Sequence, residues 1–471
     1  MLSESKRFCL VSLISLYSKS CVHNSNYMSK LQKKLSLYGL TMIAIGSCIG
    51  SGIFVTPAQI AHSVPNALLI LLVWILGGVI ALTGALTFSE LGGMFPRAGG
   101  VYVYLKEAYG DLVGFLYGWI ILLVVNTGAL AGLCVAFAEY MRVFFPETGS
   151  TTKVMIAAGT MLGLTAVNAL GVQVSQGLSN FFTGLKLLSI AAIIVAGFVF
   201  YDPVKVPIDL SFNSGVPEHL LSAMLTALVG VLFSVGGWHH ASYLAGEAKD
   251  APRTVPKAML FGVLIVIGMY LLVNVAYMLL LPIDTIAQTP KVAGDAVATL
   301  APWGAKAVAV AIALSIFGTI SIYTMSAPRI YFAMAEDGIF FKQLTYVHPI
   351  WRTPLVAMGI QVIWAIAVLV FFNGLFDQII TFVTFMDIVF MGLAGAAVFV
   401  FRQKKKDAIR PIRTWGYPWV PLVFVGISAA FAVNVLLERP KQALPGLLLL
   451  LLGVLVYAVF KKNKKNSSVR K

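Results

Sequence analysis

Apolar runs of about 20 residues, each closed by a short polar turn, follow one another along nearly the whole chain. A run of that length spans the hydrocarbon core of a bilayer as one helix. The pattern predicts twelve helices, at about 38–60, 66–93, 112–144, 153–170, 176–200, 218–244, 257–281, 300–335, 354–372, 377–401, 417–437 and 442–460. The longer ones are expected to tilt or to extend beyond the hydrocarbon. Two of the twelve are interrupted. The first reads TMIAIGSCIGSGIFVTP over Thr41–Pro57, with Gly46, Gly50 and Gly52 gathered in its middle. The sixth carries Gly236 and Gly237 between Phe233 and Trp238. Glycine costs a helix interior roughly 1 kcal/mol relative to alanine, so each cluster predicts a helix that stops and restarts.

Unwound backbone at membrane depth is tolerated only where protein or a watery cavity surrounds it. A break leaves free N–H groups at the start of one half-helix and free C=O groups at the end of the other. That pairing suits a ligand carrying both a carboxylate and an ammonium group. The alternative is a glycine-rich contact between helices, since small residues let membrane helices approach. Paired interruptions, one early in each half of the chain, favour a midplane site between inverted repeats. Residues 28–200 would form the first repeat and 218–401 the second, with two further spans and a tail in 402–471.

Composition agrees with this class. Of 471 residues, 59% are hydrophobic and 11% charged, with mean hydropathy +0.88, more apolar sequence than a soluble domain can cover with polar surface. The net charge of +15 would suit nucleic acid in a soluble chain, but here the basic residues sit in short loops and read as topology signals. Lys30, Lys33 and Lys34 precede the first span, and Arg97 and Lys106 follow the second. Lys249 and Arg253 follow the sixth, Lys342 and Arg352 the eighth, and the run Arg402–Arg413 the tenth. Both termini are therefore expected in the cytoplasm of a plasma-membrane protein. Residues 1–27 read as a leader, disordered or not native, with Met28 as the natural start. Cys9, Cys21, Cys48 and Cys134 form neither a metal-ligand spacing nor a disulfide framework, and no cofactor or metal is expected.

The stretches IGSCIGSGIF (Ile45–Phe54), FSELGGMFPRAGGVYVYLKEAYGDLVGFLYGW (Phe88–Trp119), FSVGGW (Phe233–Trp238), GEAKDAPRTVP (Gly246–Pro256) and APRIYFAMAEDG (Ala327–Gly338) together resemble the amino acid–polyamine–organocation transporter superfamily. Within it they are closest to the L-type exchangers and their bacterial relatives. The resemblance covers almost everything after Met28. It implies an all-α membrane fold with a five-plus-five inverted repeat, broken first and sixth helices, and transport of amino acids by alternating access. It places the substrate carboxylate on the Gly50-Ser51-Gly52 turn, through the Ser51 hydroxyl and the N–H groups of Ser51, Gly52 and Ile53. It places the ammonium on carbonyls of Cys48, Phe233, Ser234 and Gly236. Phe233 matches the aromatic that closes over substrate, and Trp238 is the second gating candidate.

Lys186, in FFTGLKLLSIAAIIV, lies about 16 Å into the fifth span at ~1.5 Å per residue. An intramembrane lysine is by default functional. In sodium-independent relatives such a lysine occupies the place of a sodium ion, bracing the broken first span. Exchange of a proton is a second candidate role, and a purely structural tether a third. Glu90 is expected to stabilise a neighbouring loop and Glu247 to form an interfacial pair near Lys249 and Arg253. His239 and His240, adjacent on a helix, would not both face one site. Asn126 and Thr127 of the third span are candidate pocket residues, with helix–helix hydrogen bonding as the alternative. Around the breaks no carboxylate or guanidinium is evident, so small to medium neutral L-amino acids are the expected substrates. Polyamines or cationic amino acids are the alternative. No nucleophile–base set argues for an enzyme, and no continuous polar lining argues for a channel. The expected partners are the amino acid, membrane lipid and, in a symport mechanism, protons. Nucleic acid is not expected, and no obligate partner subunit is evident.

Overall fold

A computed structural model of the protein describes residues 31–142, 144, 149–212, 215–289, 291–371, 376–438 and 440–469. The expected leader, 1–27, lies outside them. Among the described residues the only β-type pairing is an isolated parallel bridge between Leu35 and Ala248, and everything else regular is helical. The first predicted span is two helices, α1 (Leu37–Cys48) and α2 (Gly52–Ser63), bent by 43° at the break. Next come α3 (Ala67–Met94), the short α4 (Val101–Tyr109), and α5 (Asp111–Ile120), which runs through a π-turn at Ile121–Val125 into α6 (Asn126–Met141). The first half closes with α7 (Ser150–Ala169) and α8 (Val172–Val199).

The second half opens on the other interrupted span, α9 (Leu220–Val235) and α10 (His240–Tyr243), followed by α11 (Ala251–Leu280). Two short helices, α12 (Ile283–Gln288) and α13 (Val292–Ala298), lead to α14 (Gly304–Ser326) and α15 (Pro328–Glu336). The remainder are α16 (Leu355–Phe371), α17 (Phe376–Lys404), α18 (Trp419–Glu438) and α19 (Pro440–Val469). Among the described residues eight helical segments are long and apolar enough to cross a bilayer, nine with α1 and α2 as one bent span. The shorter apolar stretches Leu355–Phe371 and Pro445–Lys461, together with α7, complete the twelve predicted positions. The chain is a multi-pass membrane protein.

Local chemistry sets the ends. Ser36 accepts from the Gly39 N–H at 3.2 Å and Asn66 from Leu69 at 3.1 Å, each capping a first turn. α1 runs out at Ile49, whose N–H still reaches the Ile45 carbonyl, while the Gly50 N–H turns to Cys48. At the other break Gly237 has φ +107°, and a Cβ there would stand 2.6 Å from the Ser47 carbonyl oxygen. Conformation and close approach both demand glycine. The two breaks therefore touch: the Ser47 hydroxyl donates to the Gly237 carbonyl at 2.8 Å.

The ends carrying the basic loops are tied by charge. Lys34 and Leu35 N–H groups donate to the Glu247 carbonyl, and Lys249 N–H to the Leu35 carbonyl, stapling the start of α1 to the end of the second broken span. Glu90 accepts from Arg402 at 2.7 Å, Arg410 at 3.1 Å and the Thr414 N–H at 2.8 Å. It thus anchors the loop after α17. Asp337, just beyond α15, meets Arg97 at 3.0 Å, Lys106 at 2.8 Å and the Tyr102 hydroxyl at 2.8 Å. Burial alone would raise its carboxyl, but the hydrogen bonds from Arg97, Lys106 and Tyr102 outweigh that and hold it below the usual carboxylate range. Its contribution to stability is present above that range and is lost as pH falls through the depressed value.

Glu247 departs from expectation. It pairs not with Lys249 or Arg253 but with Arg329 of α15, at 2.8 and 3.1 Å, with both side chains almost wholly buried. The 3-10 turn Ala245–Glu247 aims the carboxylate inward, where Arg329 also donates to the Met325 carbonyl. Removing one partner of a buried pair strands the other charge and costs about 3–5 kcal/mol. Arg329→Met should therefore lower thermal stability in detergent by that amount, and Glu247→Gln/Arg329→Met should recover part of it. A double variant no better than Arg329→Met would show that the pair is not coupled.

Candidate functional site

The two breaks open onto one cavity of about 150 Å³. Its lining comes from both interrupted spans, the π-turn and start of α6, α14 and α17. From the first break it takes Ser47, Cys48, Gly50, Ser51 and Gly52, and from the second Phe233, Ser234, Gly236 and Gly237. Gly52 opens α2, so the Ser51, Gly52 and Ile53 N–H groups precede any intrahelical carbonyl partner. Ser51 and Gly52 line the cavity, so the helix start meets it with N–H groups, a ready anion site.

Lys186 of α8 holds the end of α1. Its side chain is 2% exposed. The Nζ donates to the Gly46 and Ile49 carbonyls at 2.8 Å each and to Thr319 Oγ1 at 2.7 Å. Every proton of the ammonium is thereby used. Small residues admit it: a Cβ on Gly318 would lie 3.3 Å from the lysine Cε and 2.6 Å from Phe182 Cβ. Tyr270 of α11 provides a second brace that the sequence reading did not find. Its hydroxyl lies 3.2 Å from both the Cys48 and the Ser234 carbonyl oxygens, between the two breaks.

Of the predicted site residues, Cys48, Ser51, Gly52, Phe233, Ser234, Gly236 and Asn126 line this cavity. Ile53 and Thr127 do not: both are buried, and the Thr127 hydroxyl donates to the Leu122 carbonyl at 2.8 Å, within the π-turn. Phe233 is 42% exposed. Trp238 turns away, its ring 5.2 Å from that of Phe88, and lines a smaller cavity against α3 and α18. His239 and His240 both line the main cavity, contrary to expectation. His239 precedes and His240 opens the four-residue α10, at the end of the irregular turn from Gly236, and their rings are 5.0 Å apart. His240 Nδ1 is 2.7 Å from Ser326 Oγ. Among the described residues no group of His, Cys, Asp and Glu is arranged to hold a metal ion.

The sequence reading also missed a carboxylate. Asp387 of α17 lines the same cavity, so the premise that no acid stands by the breaks is corrected. Glu90 and Glu139, acids of other spans, are occupied elsewhere, Glu90 by Arg402 and Arg410 and Glu139 by Arg142 and Lys153 at 2.9 and 3.1 Å. Asp387 sits more than 140 residues along the chain from the second break, in an apolar span with no local motif.

A multi-pass helical protein with two broken spans facing one cavity, one of them held by a buried lysine, is built as a membrane carrier. Residues 35–460 match the amino acid permease family, and the chain belongs to it. It is similar to the serine/threonine exchanger SteT of Bacillus subtilis, with 31% identity over 92% of this chain and 98% of that protein. The human b(0,+)-type amino acid transporter 1 is 30% identical, with 92% and 88% covered. The human large neutral amino acids transporter small subunit 2 is 31% identical, with 91% and 80% covered. The family and these relatives are transporters, not enzymes.

Two glycines separate packing from binding. A Cβ on Gly52 would meet Ser234 Oγ at 2.7 Å and its Cα at 3.1 Å, whereas one on Gly50 would meet nothing closer than 4.0 Å. Gly52→Ala should therefore destabilise the fold. Gly50→Ala should leave the melting temperature within a degree or two of the parent and weaken substrate binding on the order of tenfold, by placing a methyl group in the cavity. Equal melting losses in the two variants would contradict this division. Lys186→Met, which removes charged hydrogen bonds worth about 1.5–3 kcal/mol each, should insert in the membrane yet lose most transport.

Proposed function

We propose that this protein is a sodium-independent carrier of L-amino acids, working by exchange across the plasma membrane with both termini in the cytoplasm. The observation that carries the reading is the meeting of two breaks at one cavity, with helix-start N–H groups at Ser51 and Gly52, and Ile53 behind them, that have no carbonyl partner among the described residues. The α-carboxylate would bind there. The α-ammonium would bind opposite, at the carbonyl of Gly236 and at those of Cys48, Phe233 and Ser234. The Cys48 carbonyl already accepts from the Gly50 N–H, and the one Tyr270 hydroxyl hydrogen is shared between the Cys48 and Ser234 carbonyls, so substrate binding would draw that hydrogen to one of them and free a lone pair on the other. The Lys186 ammonium occupies the end of α1, where a cation would otherwise neutralise the exposed carbonyls, which supports independence from sodium.

Alternating access would turn the two halves, 28–200 and 218–401, against each other. The Leu35–Ala248 bridge and the Glu247–Arg329 pair close the end with the basic loops, while Phe233 remains exposed; opening the closed end requires those ties to part. The relatives' names cover serine and threonine, b(0,+)-type and large neutral amino acids, so the side chain accepted is set by the cavity of this chain. The expectation of neutral substrates rested on a site without an acid; Asp387 favours a second, cationic reading. One relative is named a small subunit; the bacterial exchanger's name carries no such word, and function without a second subunit is the reading adopted here.

Uptake of labelled alanine, threonine, leucine and lysine into proteoliposomes tests this. Uptake should persist without sodium and rise several-fold when the vesicles are preloaded with unlabelled amino acid. Uptake driven only by a pH gradient would replace exchange with proton symport. An absolute sodium requirement would overturn the assignment of Lys186.

A further inference from the structure

Among the described residues no cation pairs with the Asp387 carboxylate. Its Oδ1 is buried and accepts no hydrogen bond from the described residues. Every other acid named above meets a cation: Glu90 meets Arg402 and Arg410, Glu247 meets Arg329, Asp337 meets Arg97 and Lys106, and Glu139 meets Arg142 and Lys153. Lys186, the one buried ammonium among the described residues, spends its three hydrogens on Gly46, Ile49 and Thr319. A carboxylate at membrane depth is costly and is retained where a partner or a function meets it. A lone carboxylate is too few oxygens for a hard metal ion, and no metal-holding group of residues occurs among those described.

The position narrows the partner. Asp387 shares the cavity with the helix start at Ser51–Gly52, and Asn126, whose Nδ2 is also buried without an acceptor, lines it too. A ligand that satisfies the helix start with its carboxylate still has its side chain inside that cavity. We propose that Asp387 receives a side-chain cation, and that the preferred cargo is an amino acid whose side chain ends in a protonated amine. This rests on reading the breaks as the α-amino-acid site. A diamine without the carboxylate would leave the N–H groups of Ser51, Gly52 and Ile53 unpaired, so the site selects a basic amino acid over a polyamine. An apolar side chain would bury Asp387 still further without a partner, a penalty a basic one removes.

Ornithine and putrescine separate the two requirements, since they share the same amine-bearing chain and only ornithine has the carboxylate. Competition against labelled ornithine in proteoliposomes, with ornithine, lysine, leucine, threonine and putrescine, is the measurement. The full-length protein should prefer ornithine or lysine to leucine by at least tenfold. Asp387→Asn should reduce that ratio at least tenfold, and Asp387→Glu should restore part of it. Equal or stronger competition by leucine or threonine, or a ratio unchanged in Asp387→Asn, would overturn the proposal while leaving the α-amino-acid site intact. Competition by putrescine equal to that of ornithine would instead overturn the α-carboxylate site, and this inference with it.

Discussion

An interrupted helix inside a membrane leaves backbone carbonyls with neither water nor a following turn to satisfy them, and the rest of this structure is arranged around meeting that need. At the end of α1 the partner is the Lys186 ammonium, which reaches Gly46, Ile49 and Thr319 from a different helix. The arrangement is mutually dependent: the lysine is tolerable at that depth because three oxygens surround it, and the break is tolerable because the lysine fills it. Thr319 and Ser315 hydroxyls stand within 3.3 Å of the same Ile49 carbonyl, so α14 is drawn into the same knot.

The second break is satisfied differently. No charge enters it. Gly237 adopts a left-handed conformation against the Ser47 backbone, the Ser47 hydroxyl binds the Gly237 carbonyl, and Tyr270 bridges from Cys48 to Ser234. These contacts join the two interruptions into one unit, leaving the N–H groups at the start of α2 directed at the cavity. The start of α2 and the Gly236 carbonyl are the polar ends of the breaks that face this cavity.

Buried charge follows a similar economy. Near the ends that bear the basic loops, Glu90, Glu247 and Asp337 are each enclosed by cations from distant parts of the chain. They hold the loop after α17, the end of the second broken span and the loop before α4. Those clusters tie loops and helix ends that are far apart in the chain. Asp387 lies outside this scheme, in the wall of the cavity itself, and among the described residues no cation meets it.

Much of the architecture was legible in the sequence, because a bilayer imposes length and apolarity residue by residue and leaves a local record. The positions of the spans, the two glycine-marked breaks and the placing of Lys186 within an apolar span are all properties of short stretches. So was the membership of the family, carried by motifs such as IGSCIGSGIF and GEAKDAPRTVP. What the sequence left open depends on which faces of different helices meet. Glu247 has nearer cations in sequence, yet meets Arg329; Trp238 flanks a break, yet packs on Phe88 away from the cavity. Tyr270 and Asp387 sit in apolar spans without any motif, and only the packing of α11 and α17 against the breaks gives them a place. Helical periodicity records which positions are apolar, but side-chain partners across a bundle are fixed by rotation and close approach of whole helices, and that information exists only once the helices are packed.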